Sequence, residues 1–348
     1  MCVIFIYVNS NPNPGGYKLI LASNRDEFYA RDTQDAAKWA NAEHVYGGID
    51  LEPGREGGTW LAIGGHGGVF KVGALLNLTG EPKPRNAVVN GECVAKNHNI
   101  IYPNHNDYKA DTTRIIKPAD TSSLLHNENF LLGRGMIVSN FAASKDDCNI
   151  QGYNSELLSE CTKYSAFNFV SIEIGSKAPA NILLLSNTPP GLEHFAEGKC
   201  YGFGNSLASA PFQKVINGRQ RFQNIVEDFH SKLAAAPTEA MHNMQADLVT
   251  NLKNLLKCEH KFWPDAELAR RAPNWGEYLS ALNVSVPSAG YGSRTHTVIL
   301  IDGQNKMHFY EDTMAGPDPK GEWRQTHIEK QYFQNENSTT QLFECSKI

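Results

Sequence analysis

Met1-Cys2-Val3-Ile4-Phe5-Ile6-Tyr7-Val8, then Tyr17-Lys18-Leu19-Ile20-Leu21-Ala22-Ser23-Asn24-Arg25-Asp26-Glu27, is the stretch on which the reading of the fold turns. From Cys2 the first run is β-branched and aromatic without alternation, the pattern of a strand buried on both faces. Asn9 to Gly16 holds two Asn-Pro steps and Gly15-Gly16, which is turn chemistry. Tyr17 to Ala22 then reads as the returning strand of a hairpin, delivering Asn24-Arg25-Asp26-Glu27 at its end.

Further along, 10 of the 29 glycines lie between Gly47 and Gly73, interleaved with strand-like runs at Thr59 to Ile63 and Val69 to Leu76. Glycine at this density supplies turns and close backbone approach. Neither GxxxxGK[ST] nor a GxGxxG after a strand is present, so the region is not a nucleotide cradle. Phe167 to Ile174 and Ala180 to Leu185 form another strand pair. Two amphipathic helices are expected next. One follows Pro211 with a stripe of Phe212, Val215, Ile216, Phe222, Ile225, Val226, Phe229 and Leu233. The other carries Met241, Met244, Leu248, Leu252, Leu255 and Leu256. Strands at His296 to Ile301 and Lys306 to Glu311, joined through Asp302-Gly303, close the pattern. Strands at both ends around central helices, without regular alternation, give an α+β layered architecture.

The whole chain has 348 residues with 32 Lys+Arg against 37 Asp+Glu, a net charge of -5. Hydrophobic residues at 41% and charged residues at 20% are those of a globular protein. The acidic balance without basic runs argues against nucleic acid and against a polybasic membrane surface. The most apolar stretch, Met1 to Val8, falls far short of the roughly 20 residues of a membrane span and lacks the flanks of a secretory signal, so an intracellular protein is expected. Seven scattered cysteines without metal spacing read as mostly reduced, and no metal site is expected. Pro84 to Leu132, rich in Asn and short of apolar runs, reads as a mobile insertion.

Several of these motifs resemble the NRDE domain of the transport and Golgi organization protein 2 family. The resemblance runs from Met1-Cys2 through Asn24-Arg25-Asp26-Glu27, Glu56-Gly57-Gly58-Thr59-Trp60-Leu61, Gly133-Arg134-Gly135 (opening a helix) and Phe167-Asn168. It continues through Gly202-Phe203-Gly204-Asn205-Ser206 to Gly290-Tyr291-Gly292-Ser293-Arg294-Thr295-His296-Thr297. It covers nearly the whole chain in one order, as one domain over 1–348. It departs at the 84–132 segment and at His296, where Asn is more typical.

The resemblance implies a four-layer αββα sandwich like that of the N-terminal-nucleophile hydrolases. It also implies a role in Golgi organisation, secretion and heme mobilisation, in the cytoplasm with Golgi or mitochondrial association. No cofactor is required on this reading, and heme or another amphipathic molecule is the expected ligand. Arg25, Trp60, Arg134, Thr295 and His296 are its candidate ligand residues, with His66, His194, His296 and Cys2 as candidate axial groups. The alternative is an amidohydrolase. Cys2, exposed by loss of Met1, would be the nucleophile with its own α-amine as base, because an amine of pKa about 8 and a thiol of about 8.5 exchange a proton near neutrality. Arg25 and Asp26 would then orient substrate and amine, Asn24 would end the same strand, and Asn77 and Asn205 would be oxyanion donors. A scaffold with no small ligand is the third reading. Against each stands a plain structural one: Cys2 as a core hydrophobe, Asn24 to Glu27 as an ion-pair cluster, and Gly57-Gly58-Thr59-Trp60 as a turn with a packed Trp.

Overall fold

The computed structural model describes residues 1–79, 133–145, 148–175, 179–235 and 241–333, so the 84–132 segment, Cys93 and Cys345 lie outside the described residues. Two antiparallel sheets of seven strands each dominate it. The opening hairpin is the centre of the first. β1 (Val3–Val8) pairs with β2 (Tyr17–Phe28), Val3 opposite Asn24 and Val8 opposite Leu19. β10 (Cys200–Gly204) flanks β1. On the other side β2 pairs with β12 (Tyr291–Asp302), then come β13 (Lys306–Met314) and β14 (Trp323–Gln331), while the short β11 (Ser285–Val286) joins β12. In the β12–β13 turn Asp302 Oδ1 accepts from the amides of Gln304 and Lys306, and Asn305 takes a left-handed φ of 65°.

The second sheet runs in simple sequence order: β3 (Thr33–Lys38), β4 (Val45–Asp50), β5 (Leu61–His66), β6 (Val69–Asn77), β7 (Phe167–Gly175), β8 (Asn181–Asn187) and β9 (Pro190–Phe195). Between the sheets, Ile4, Ile6, Leu19, Leu21, Ile299 and Phe309 meet Ile63, Phe70, Val72, Val170 and Ile172. The opposite face of the first sheet, through Val3, Phe5, Ile20 and Val298, packs on α3 (Gln213–Ala235) and α4 (Met241–Leu256). The outer face of the second sheet packs on α1 (Gly135–Ala143) and α2 (Ile150–Ser159) through Ile137, Phe141, Ile150 and Phe169. Two short helices, α5 (Ala266–Arg271) and α6 (Gly276–Leu279), complete the α3/α4 layer. The layer order is therefore helix, sheet, sheet, helix. Both faces of β1 are covered, which is why its sequence does not alternate.

Most expected elements are present with small shifts in their ends. β3, β4, β9, β10, β11, β14, α2, α5 and α6 are additional. On α3, Ile216 departs from the core stripe and is 39% exposed. Lys214 lies on that stripe instead, four residues before Gly218 and eight before Phe222, all three buried.

Candidate functional site

The site is assembled where β1 begins and β2 ends. Because side chains alternate along a strand, β2 divides Asn24-Arg25-Asp26 between its two faces. Arg25 points between the sheets with Cys2, while Asn24 and Asp26 face the α3/α4 layer. Each half has its own chemistry.

On the helix side, the α-amine of Met1 lies 2.8 Å from Asp26 Oδ2 and donates to the Tyr291 hydroxyl at 2.7 Å. Ser293 Oγ donates to Asp26 Oδ1 at 2.6 Å. Lys214 Nζ, fully buried, donates to the carbonyls of Met1 (2.8 Å) and Ala281 (3.1 Å) and stands 3.9 Å from Asp26 Oδ2. Burial pushes both the Met1 amine and the Lys214 ammonium below their ordinary pKa, with Asp26 opposing the shift in each case. Thr79 Oγ1 contacts Met1 Sδ at 2.7 Å. Asn24 donates two N–H bonds, to the carbonyls of Leu256 (2.8 Å) and Leu282 (2.9 Å), and its Oδ1 lies 2.7 Å from His296 Nδ1. His296 is stacked on Trp323, centroids 4.9 Å apart, and burial lowers its pKa to about 4.

Between the sheets, Cys2 Sγ accepts the Asp26 N–H at 3.3 Å, and burial pushes its thiol pKa up. The Arg25 guanidinium lies 4.1 Å from the centroid of the Trp60 ring, a cation–π contact. Arg25 is 5% exposed, and its Nη1 has no hydrogen-bond partner among the described residues. Thr295, directly across from Arg25 on β12, continues this polar wall with Thr297, Glu311 and Thr313. Such side chains are out of place on the inner face of a sandwich, which is normally apolar. Thr297 Oγ1 donates to Glu311 Oε2 at 2.7 Å. Glu27, next along, belongs to an ion-pair chain in which Arg31 links it (3.4 Å) to Asp50 of β4 (2.6 Å).

Of the residues expected to bind a ligand, the structure thus gathers Arg25, Trp60 and Thr295 with Cys2. His296 lies on the opposite face of the sheet, locked by Asn24 and Trp323, and Arg134 donates to the Ala166 carbonyl at 2.8 Å. His66 contacts His44 at the end of β5, with ring centroids 5.6 Å apart, and His194 is exposed on β9. The four candidate axial groups therefore do not converge. Asn205 and Asn77 come to the Met1 end, but Asn205 Nδ2 donates to the Asn77 backbone carbonyl at 2.5 Å and the Asn77 side chain is exposed. Asn205 follows Gly204, the partner of Val3, and its amide ties the end of β10 to the end of β6. Lys214, Tyr291, Ser293 and Glu311 were not among the expected site residues. A cavity of about 250 Å³ lies farther along β10, between Phe195, Tyr201, Phe203, Pro211 and Ile216. It is smaller than the roughly 300–1,000 Å³ of sites for drug-sized ligands.

The family model described as Transport and Golgi organisation 2 matches residues 1–102 and 116–316. The chain belongs to this family. It is 55% identical over 337 residues to Transport and Golgi organization protein 2 of Drosophila melanogaster, covering 96% of this chain and 99% of that protein. The Homo sapiens homolog is 28% identical over 324 residues, with 91% and 95% covered. Among solved structures, the mutant C2A conjugated bile acid hydrolase of Clostridium perfringens aligns over 96% of this chain and 97% of its own at 10% identity. Its TM-score of 0.35 is too low to support the fold assignment, which rests on the layer order above. No helix among the described residues is long and apolar enough to cross a membrane.

Proposed function

We propose that the chain is a carrier of an amphipathic, carboxylate-bearing small molecule, with heme the first candidate, and that it acts in secretion and in Golgi organisation, the latter being what its relatives' names state. The observation that carries the ligand class is the buried Arg25 guanidinium, unpartnered at Nη1, held against Trp60 and opposite Thr295. Glu27 and Asp50 act on this guanidinium only through space, and a buried N–H left without a hydrogen-bond partner is costly, so a carboxylate such as a heme propionate is its natural partner. Trp60 offers an aromatic face to a planar ligand. Cys2 is the one candidate axial group beside Arg25, and its raised pKa keeps the thiol neutral until a metal displaces the proton. Titration of the purified chain with heme, read by the Soret band, tests this. Binding should weaken about ten- to hundredfold in Arg25→Ala. Heme that leaves the spectrum unshifted would sink the direct-carrier reading.

One observation favours a second reading, an N-terminal-nucleophile amidohydrolase. If Met1 is excised, the new α-amine is the nitrogen now bonded to the Met1 carbonyl, beside Lys214 and Asp26. The ammonium of Lys214 would lower the pKa of that amine and favour its neutral, basic form. The amine would take the Cys2 thiol proton, the thiolate would attack the acyl carbon, and the proton would pass to the departing amine. Water would then release the acyl group from sulfur. Intact-mass analysis decides whether this mechanism is open: a retained Met1 or an acetylated Cys2 closes it, and a free Cys2 amine labelled by an acyl electrophile supports it.

A further inference from the structure

A separate constellation sits on the helix-facing side of the first sheet, near its β14 edge. His308 and Glu329 are direct cross-strand partners, and His327 lies two residues before Glu329, so the three side chains share one face. His308 is buried, while His327 and Glu329 are half-exposed, so the cluster opens to solvent. His308 Nδ1 is 3.1 Å and His327 Nε2 is 3.7 Å from Glu329 Oε1, and the three atoms all lie within 4.8 Å of one another. Bonds of about 2.0–2.1 Å to a tetrahedral ion place its ligand atoms roughly 3.3 Å apart, so small side-chain adjustments close this set around a cation.

The surroundings set up the geometry. Tyr310 stacks on the His327 ring with centroids 4.2 Å apart and planes 12° from parallel, fixing its orientation. Lys306 Nζ holds Glu329 Oε2 at 2.6 Å and leaves Oε1 toward the histidines. The Gln245 amide of α4 lies 3.1 Å from His308 Nδ1 and would be displaced by an ion.

We propose that His308, His327 and Glu329 form a binding site for a borderline divalent transition metal, with Zn²⁺ the first choice. Two imidazoles and one carboxylate select such an ion over Mg²⁺ or Ca²⁺, which prefer oxygen donors. Three protein ligands leave the fourth position to water or to a donor from another molecule. The ion would also tie β14, an edge strand whose ladder partner among the described residues is β13, more firmly to its neighbour.

The test is calorimetric titration of the chelator-stripped full chain with Zn²⁺, with Co²⁺ substituted for its visible spectrum. One equivalent should bind the unmodified chain, with a tetrahedral Co²⁺ spectrum. His327→Ala and Glu329→Gln should each weaken binding by more than roughly tenfold, since even partners outside the ligand set contribute that much. Neither substitution removes core packing, and matching circular dichroism without metal would show that both variants fold. Equal Zn²⁺ affinity in the unmodified chain and both variants, or no binding to any of them, overturns the proposal.

Discussion

Replacing Glu311 with Gln should change how stability depends on pH, by an amount the structure sets. Glu311 is 1% exposed on β13 and faces the second sheet, accepting from Thr297 Oγ1 (2.7 Å), the Ala36 amide (3.2 Å) and Thr313 Oγ1 (3.2 Å). Those three donors favour the carboxylate, but burial outweighs them and raises the pKa from 4.5 to about 7. At roughly 1.4 kcal/mol for each tenfold change in proton affinity, that displacement is worth about 3 kcal/mol. A folded-state pKa above the unfolded one stabilises fully below the unfolded value, here 4.5, and the benefit is lost as pH rises through about 7. His296 acts in the opposite sense. Its pKa is lowered from 6.5 to about 4, so its contribution is present above 6.5 and lost as pH falls toward 4. It is present in both proteins and cancels from their difference. Urea unfolding followed by far-ultraviolet circular dichroism from about pH 4 to about pH 8 provides the measurement. The stability of the native chain relative to Glu311→Gln should fall by about 3 kcal/mol across that range. A difference between the two that does not vary with pH would refute the reasoning, because it would mean that Glu311 titrates alike in the folded and unfolded chains.

Three further substitutions probe the layers and the start of the chain. A Cβ at Gly64 of β5 would collide with the Ala142 backbone carbonyl of α1, so Gly64→Ala should cost about 1–3 kcal/mol in thermal unfolding; an unchanged midpoint would mean that the second sheet and its helix do not approach so closely. Asn24→Ala removes both donors from the carbonyls of Leu256 and Leu282 and should cost about 2 kcal/mol or more in urea unfolding. Lys214→Met deprives the carbonyls of Met1 and Ala281 of their buried donor and removes a charge beside Asp26; a loss of about 3 kcal/mol is expected in urea unfolding, and a more stable variant would contradict a stabilising partnership of Lys214 with these groups.

What was legible follows from where the hydrophobic signal is strong. β1, β2, β7, β8, β12 and the stripe on α3 announce themselves because they are covered on one or both faces. β3 (Thr-Gln-Asp-Ala-Ala-Lys) and β14, with Arg324, His327, Glu329 and Lys330, are edge strands whose polar side chains oppose further pairing, and that polarity masks them. α2 had a readable start, since Asn149 caps it through the Gly152 amide, but Gly152 and a mixed face weaken its period. In the site, Lys214 carried a usable signal: a lysine at a core position of a 3.6-residue stripe must find buried partners. Tyr291 and Ser293 stand in a motif of the family resemblance, but no local pattern gives their roles, which depend on contacts 265 and 267 residues away in sequence.

By itself, the sequence determined the strand hairpin at the start, the layered α+β class, the family, and the presence of Cys2 and Asn24-Arg25-Asp26 at adjoining strand ends. Local pattern suffices for the hairpin, the class and the strand ends, since turn residues and apolar periodicity are properties of consecutive residues, while the family rests on the resemblance of motifs in order along the chain. Only the tertiary structure decided that Arg25 joins Cys2, Trp60 and Thr295 between the sheets, while Asp26 joins Met1, Lys214 and Ser293 beneath the helices. It also separated His296 from Thr295, its immediate neighbour. The physical reason is that a strand's two faces enter different layers. Which distant residues meet each face is fixed by the register of β2 on β12 and by how the layers stack, and neither is written in any local run of residues.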